Sequence, residues 1–309
     1  MSREPLSYNA TITERVDLAE GLALFRVRHD DEELFTRFIP GQYAILGLNH
    51  PEKGPVQRAY SIASAPSMLP EFEFYVRYVK QPASDNPLTH LLFAAHTGDR
   101  IAMGPKILGK FTLEHELPQG DTRWRVCVAA GTGLAPFTSM IFEEYHQTGA
   151  ANGFLVLHGA SYPWDLGYRE RMEELLNTPF AQKRYYPTIS RPKAEGVTWP
   201  ADRMTGRVEE LLSPEGLSRW EPTSPLGPGG LNPANAVIFI CGLTGTIRQT
   251  LLNAFARGFV PGDRRLRREL EIPESLAPSV FFEPYDTEPI LDLTNDDFRL
   301  GIRRQLGLQ

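Results

Sequence analysis

The stretch RAYSIASAP (58–66) sets a fixed cation, Arg58, a flat aromatic, Tyr60, and a small hydroxyl, Ser61, within four residues. A guanidinium pairs with phosphate, and an aromatic face lies against another flat ring. Whether one nucleotide takes all three depends on whether the chain carries a second nucleotide site. GTGLAP (131–136) offers one, where an apolar strand ends and a helix begins. Glycines there let the backbone approach a phosphate, and the helix start presents free N–H groups and a positive dipole end. This is not the GxGxxG fingerprint, and a plain strand–helix turn uses the same glycines. ICGLTG (240–245) repeats the arrangement, and two such turns at the carboxyl ends of parallel strands are where open α/β sheets bind ligands.

Three smaller features surround these turns. Ser190-Arg191 follows the strand RYYPTI, and Gly206-Arg207 opens RVEELL. An arginine at a strand end suits a phosphate such as the 2′-phosphate of NADP, whereas a lone surface arginine is usually only solvated. Glu283-Pro284-Tyr285 closes the last strand, where a glutamate normally faces water and a tyrosine packs. His158 and Asp165, in HGASYPWDLGY, form no hydrolase site, since no activated-serine motif accompanies them, and His158 reads as structural. Cys127 and Cys241 read as small buried residues.

The elements that must position these residues fall into two sets. LALFRVRHD (22–30), QYAILGL (42–48), AYSIA (59–63) and EFEFYVRYV (71–79) read as strands, the last with Phe72, Phe74, Val76 and Tyr78 on one face. One helix, NPLTHLLFAAH (86–96), interrupts them, and the pattern is that of an antiparallel barrel or sandwich. After LPQGDTRW (117–124) strands and helices alternate. WRVCVAA, GFLVLHGA, RYYPTIS and AVIFICG are uniformly apolar strands. FTSMIFEEYHQ, with Phe137, Met140, Ile141 and Tyr145 on one face, YRERMEELLN and IRQTLLNAFARGF are helices, so this half is a parallel sheet wrapped on both faces. The Pro/Gly-rich stretch 213–235 reads as a surface excursion without chemistry, and 280–309 as a last strand and a tail.

At 309 residues two domains are expected. A net charge of −6 argues against a nucleic-acid or anionic-membrane binder. Two cysteines cannot hold an iron–sulfur cluster, histidines at zinc spacing are lacking, and a disulfide is disfavoured, so no metal is expected. The polar N-terminal stretch lacks a secretory signal's apolar core, and no run of about 18 apolar residues occurs, so the expected location is cytoplasmic.

Taken in order, PGQY (40–43), RAYS (58–61), GD (98–99), GTGLAP (131–136), HG…DLGY (158–168), ISR (189–191), GR (206–207), CGLTG (241–245) and E-x-Y (283–285) resemble the ferredoxin–NADP reductase family over nearly the whole chain. The resemblance implies a two-domain β + α/β protein. An antiparallel β-barrel FAD domain (1–118) precedes a parallel-sheet α/β NADP-binding domain (119–279), and a C-terminal strand and extension (280–309) cover the flavin. It further implies that Arg58 holds the FAD pyrophosphate, Tyr60 lies on the isoalloxazine and Ser61 sits near flavin N5. Ala59, Tyr75, Val76, Arg77, Leu88 and Thr89 complete the FAD contacts; Asn86-Pro87 stands where the family has a glycine. Gly131, Thr132, Gly133 and Pro136 form the pyridine-nucleotide turn, with Ser190, Arg191 and Arg207 as the 2′-phosphate clamp. An arginine found in some relatives after HG is replaced here by Ala160-Ser161. Cys241 and Gly242 border the nicotinamide, and Tyr285 covers the second flavin face.

The function implied is electron transfer between NADPH and ferredoxin or flavodoxin through FAD, by hydride exchange at N5 and then single electrons, with Ser61, Cys241 and Glu283 as the catalytic set. The alternative is the NAD(P)H-dependent reductase component of an oxygenase or other multicomponent redox system. A nucleotide-binding protein without turnover lacks a reason for Ser61, Cys241 and Glu283. DRRLRRE (263–269) is one docking face for an acidic carrier, although a solvated charge run has the same composition. The expected state is a monomer or weak dimer.

Overall fold

The computed structural model describes residues 4–31, 37–82, 85–177, 182–286 and 288–308. The first three residues of the polar N-terminal stretch, and residues 287 and 309 of the C-terminal extension, lie outside this range. The chain divides into two compact units, 1–115 with 135–150, and 116–134 with 151–309.

The first unit is built on β1 (Ala10–Ala19), β2 (Leu22–His29), β3 (Tyr43–His50), β4 (Gly54–Ser61), β5 (Glu71–Arg77) and β6 (Arg100–Met103), with the helices α1 (Leu88–Ala94), α2 (Leu113–Glu116) and α3 (Ala135–Thr148). The strand order is β4-β3-β6-β1-β2-β5. Neighbouring strands run antiparallel, and β1 carries register shifts between Ile12 and Glu14 and between Asp17 and Ala19 that bend it. The two end strands meet: Ile62 bridges Phe74, and the Ala63 N–H donates to the Glu73 carbonyl at 2.8 Å. The sheet therefore closes as a barrel around Ile12, Phe25, Val27, Leu46, Phe72, Phe74 and Ile101.

Two expectations change here. The alternation of EFEFYVRYV predicts one buried face, yet Glu73 and Tyr75 are buried too, each only 3% exposed. The outer face of β5 is covered: Arg26 Nε donates to the Glu73 carboxylate at 2.9 Å, and the Glu73 N–H donates to Ser64 Oγ at 3.0 Å. Helix α3 also groups with the barrel rather than with the strands that flank it in sequence. Its residues Ala135–Ile141 are all buried. The Thr138 and Ser139 hydroxyls donate to the Ala63 and Ser64 carbonyls at 3.0 and 2.7 Å, satisfying backbone acceptors that would otherwise be buried unpaired. Tyr145, expected on that apolar face, is exposed.

The second unit holds β7 (Trp124–Ala130), β8 (Phe154–Ala160), β9 (Tyr185–Ile189), β10 (Met204–Thr205), β11 (Ala236–Gly242) and β12 (Val280–Pro284). With them come α4 (Arg169–Leu176), α5 (Pro214–Trp220), α6 (Thr244–Phe255), α7 (Arg264–Glu269) and α8 (Asp296–Gln305). The sheet is parallel in the order β10-β9-β8-β7-β11-β12. The chain leaves β7 toward β8 on one side and returns to β11 on the other. Strand order thus reverses between β7 and β11, the place where doubly wound sheets open a ligand crevice.

The stretch 213–235 is not a surface excursion. Ser213 Oγ caps α5 by accepting from the Gly216 N–H at 3.1 Å, and Trp220 is fully buried with its indole N–H on the Leu211 carbonyl at 2.8 Å. The buried Glu221 carboxylate accepts from the Gly229 and Leu231 N–H groups at 2.9 and 2.7 Å, so the Pro/Gly loop is folded around it. Trp220→Ala is expected to cost the second unit about 3–5 kcal/mol. A urea melt followed by far-ultraviolet dichroism checks it; a midpoint equal to that of the parent chain would contradict this packing.

The C-terminal extension returns over its own unit. Asp286 accepts from the Thr244 N–H at 3.0 Å and also bonds the Thr244 hydroxyl. Arg248 donates to the Ile290 and Pro289 carbonyls at 2.7 and 3.1 Å, and Leu291, Leu293 and Ile302 are buried. Arg303 of α8 reaches the Leu270 carbonyl at 2.8 Å and pairs with Glu271.

Candidate functional site

In the second unit, Gly131–Leu134 form a 3₁₀ turn between β7 and α3. Gly131 has φ +55°, and a Cβ there would meet nothing within 4 Å, so its outer side opens to solvent or ligand. Gly133 is the opposite case: a Cβ would lie 2.1 Å from the Cys241 carbonyl oxygen. The main chains after β7 and at the end of β11 are therefore in direct contact at the point where strand order reverses. Cys241 sits opposite Glu283 in the β11–β12 register. The Tyr285 N–H donates to the Gly242 carbonyl at 3.0 Å and its hydroxyl donates to the Thr132 carbonyl at 2.9 Å. Thr132, Gly133, Cys241, Gly242, Glu283 and Tyr285 thus form one cluster. Pro136 is buried one turn into α3.

Cys241 is fully buried. Burial, and then the negative charge of Glu283, push its thiol well up, with the Tyr285 hydroxyl and the Gly242 backbone opposing. It remains a neutral thiol, a wall and weak donor rather than a nucleophile. Cys127, in mid-strand, is likewise buried and its thiol is pushed up by burial.

His158 buttresses the turn. Its Nδ1 lies 2.9 Å from the Tyr185 hydroxyl and its Nε2 3.1 Å from the Gly131 carbonyl. Because a carbonyl only accepts, Nε2 carries the proton and Nδ1 accepts from Tyr185. Burial pulls the His158 pKa down to about 4, the Gly131 carbonyl opposing. The folded chain keeps this imidazole neutral while an unfolded one protonates near 6.5, so the unfolded state binds more protons between those values. The stabilisation is complete above about pH 6.5 and is lost as pH falls toward 4, by about 3 kcal/mol in all. His158→Gln is expected to flatten this acid limb. Urea midpoints between pH 7 and 4.5 check it, and equal slopes in both chains would contradict the assignment.

Along the carboxyl edge of the same sheet, Ser190 and Arg191 follow β9 and Arg207 follows β10; all three are exposed. Arg191 Nη1 donates to the Tyr162 hydroxyl at 2.9 Å. Arg207 precedes a 3₁₀ helix (Val208–Leu212) and lies 3.6 Å from the buried Glu209. The basic run 263–269 is partly committed: Arg265 pairs with Glu269 at 2.7 Å, and Arg267 donates to the Pro261, Pro273 and Leu276 carbonyls.

In the first unit, Arg58, Ala59, Tyr60 and Ser61 occupy β4, an end strand of the sheet order. Beyond the Ile62–Phe74 bridge, no ladder joins β4 to β5 among the described residues, so the strands part beside Tyr75, Val76 and Arg77. Tyr75 and Val76 are buried and Arg77 is exposed. The Asn86 side chain ties this edge to α1, donating to the Gln57 carbonyl and accepting from the Leu88 N–H, each at 3.0 Å. Thr89 Oγ1 accepts from the Val79 N–H at 3.2 Å, so that hydroxyl already holds the end of β5 against the helix start. Asn86 thereby does local work at the position where the resemblance expects a glycine. Ser61 is buried.

Tyr60 is the informative residue. Its ring is only partly buried, yet its hydroxyl oxygen is buried with no hydrogen-bond partner among the described residues. Burial pushes the phenol pKa up, Arg58 opposing. A buried hydroxyl left unsatisfied costs about 1–3 kcal/mol, which a polar ligand group at that place recovers. A half-open aromatic face, an unsatisfied hydroxyl and a neighbouring guanidinium fit a flavin nucleotide.

Among the described residues no group of three or more His, Cys, Asp or Glu is placed to hold a metal ion, and no helix is long and apolar enough to cross a membrane. Sequence reasoning passed over Asp286, which caps α6, and the aromatic pair Tyr162–Trp164 beside Arg191. The aromatic spacing in YPW is visible in the sequence, but its neighbour Arg191, just past β9, is not.

Residues 9–112 match the oxidoreductase FAD-binding domain family and residues 127–251 the oxidoreductase NAD-binding domain family. A ferredoxin–NADP reductase A from Sorangium cellulosum is 30% identical over 261 residues, spanning 78% of this chain and 84% of that protein. A flavodoxin/ferredoxin–NADP reductase from Escherichia coli is 30% identical over 213 residues, spanning 69% and 77%. The crystal structure of a ferredoxin NADP⁺ reductase from Neisseria gonorrhoeae with bound FAD and NADP superimposes with a TM-score of 0.69 at 22% identity. It covers 90% of this chain and 98% of that one.

Proposed function

The chain belongs to the ferredoxin–NADP reductase family and is an FAD- and NADP-dependent oxidoreductase; from this premise we propose that it moves electrons between NADPH and a separate one-electron carrier, ferredoxin or flavodoxin. The supporting observation is the cysteine inventory. Cys127 and Cys241 are both buried, and two thiols are too few for a four-thiolate cluster, so these residues hold no iron–sulfur acceptor of their own, which supports a separate carrier. Bound FAD supplies the exchange between a two-electron hydride donor and single-electron acceptors.

The protein's share is binding, orientation and proton placement. Arg58 would neutralise the FAD pyrophosphate, and the Tyr60 hydroxyl, without a partner among the described residues, would gain one. Tyr60 and the exposed ring of Tyr285 belong to the cofactor-contacting set, with Ala59, Tyr75, Val76, Arg77, Leu88 and Thr89. Ser61 Oγ holds a proton beside the flavin edge. Gly131, Thr132, Gly133 and Pro136 shape the turn that takes the NADP pyrophosphate, and Ser190, Arg191 and Arg207 take its 2′-phosphate. Cys241, as a neutral thiol, and Gly242 border the nicotinamide, while the Glu283 carboxylate beside them accepts or returns a proton. The Tyr285 hydroxyl donates to the Thr132 carbonyl, a bond its ring would have to give up if it moved aside for the nicotinamide. On this proposal the protein works in the cytoplasm, where both thiols stay reduced, as a monomer or weak dimer.

NADPH-driven reduction of cytochrome c, with ferredoxin, flavodoxin or neither added, tests the carrier assignment. Turnover is expected to depend on the added carrier. Turnover with an oxygenase component only, and none with either small carrier, would favour the reductase of a multicomponent oxygenase.

A further inference from the structure

Past the end of β8 the chain makes a tight 3₁₀ turn, Pro163–Asp165, pinned by the buried side chains of Asp165 and Leu166. Between those anchors and the strand, Tyr162 and Trp164 stack with ring centroids 4.9 Å apart and planes 12° from parallel. Trp164 stays 48% exposed, so the pair is not core packing. Arg191, arriving from the end of β9, places its guanidinium carbon 5.5 Å from the Tyr162 ring centroid and donates to the Tyr162 hydroxyl at 2.9 Å. A half-solvated indole plate, backed by a second ring and flanked by a fixed cation, has the chemistry of a base-stacking surface with a phosphate anchor at its edge.

Its place in the sheet says which base. Neighbouring strands lie about 4.8 Å apart, so the turn after β7, the aromatic pair after β8 and Arg191 after β9 follow one another across about 10 Å of the carboxyl edge. The adenylate half of a pyridine dinucleotide presents pyrophosphate, then nucleoside, then 2′-phosphate over a comparable span. We infer that Trp164, backed by Tyr162, stacks on the purine of NADP(H) and shares its binding energy with Arg191. The inference rests on the assignment of this edge to NADP(H) and adds the groups that hold the base.

Base–aromatic stacking is worth about 1–3 kcal/mol by removal of the aromatic, so Trp164→Ala is expected to weaken binding of 2′,5′-ADP roughly tenfold or more, with Trp164→Phe retaining most of it. The experiment titrates 2′,5′-ADP, and separately inorganic pyrophosphate, into the FAD-loaded full chain and both variants by calorimetry. Retained yellow colour and the parent dichroism spectrum show that the variants are folded. Loss confined to the purine-bearing probe supports stacking. Equal affinity of parent and Trp164→Ala for 2′,5′-ADP overturns it while leaving the NADP(H) assignment intact. Equal loss for both probes also overturns it, since that reports a displaced turn. Failure of the parent chain to bind 2′,5′-ADP overturns the assignment of the edge itself.

Discussion

Gly133→Ala is expected to destabilise the second unit by about 3 kcal/mol or more and to weaken NADP⁺ binding by roughly two orders of magnitude. The added methyl would lie 2.1 Å from the Cys241 carbonyl oxygen and 2.7 Å from its carbon. Both are main-chain atoms of β11, so no side-chain rotation relieves the clash. Overpacking against mobile side chains typically costs about 1–3 kcal/mol, and here either the turn after β7 or the end of β11 must shift. That shift separates Thr132 and Gly133 from Cys241 and Gly242, the residues proposed above to shape the dinucleotide site. Gly131→Ala is the control. Its methyl meets nothing within 4 Å, and only the left-handed backbone at φ +55° opposes it, at about 1–2 kcal/mol. Urea melts of the two variants should therefore separate widely, with an NADP⁺ titration of Gly133→Ala against the parent chain checking the binding loss; equal losses of stability would mean that the main-chain contact is not what Gly133 serves.

Replacing Arg191 and Arg207 together by alanine is expected to erase the preference for NADPH over NADH. Each hydrogen bond to a charged phosphate is worth about 1.5–3 kcal/mol, or roughly ten- to a hundredfold in affinity. Both arginines are exposed beyond the ends of β9 and β10, across the strand order from the end of β11 where the nicotinamide is proposed to lie, so on that proposal they bind ground state and transition state alike. KM for NADPH should rise by about a hundredfold or more for the pair while kcat changes little and NADH kinetics stay near those of the parent. Because the sites are exposed, the effect should shrink as salt is raised. A matching loss with NADH would show that the arginines support the fold or the nicotinamide instead.

The legible parts of this protein are those whose signal is local. Apolar runs such as WRVCVAA and AVIFICG read as strands of a wrapped parallel sheet, which they are, and the glycine-rich turns at their ends read as candidate phosphate-binding turns. β1 carries no clear alternation because only Ala10 and Ile12 of ATITERVDLA are buried, while its apolar Val16 and Leu18 are exposed among polar residues. Helix α8 escaped notice because DDFRLGIRRQ buries a single residue, Ile302. In 213–235 proline and glycine suggested a solvent loop, whereas Trp220 and Leu231 are core and the buried Glu221 supplies acceptors for the loop's N–H groups. What no local pattern carries is adjacency set by sheet order. Tyr285 reaches Thr132 across 153 residues, Asp286 reaches Thr244 across 42, and Arg191 reaches Tyr162 across 29. That the Tyr60 hydroxyl is buried without a partner among the described residues is likewise visible only in the folded chain.

The central claim is that one chain binds a flavin and accepts reducing equivalents from NADPH. Rapid anaerobic mixing of the purified, FAD-loaded protein with NADPH, watching the visible flavin absorbance, tests it most directly. The account predicts that the yellow colour bleaches with NADPH and far more slowly with the same concentration of NADH. A protein that takes up no FAD, or one whose bound FAD stays oxidised in excess NADPH, would contradict it.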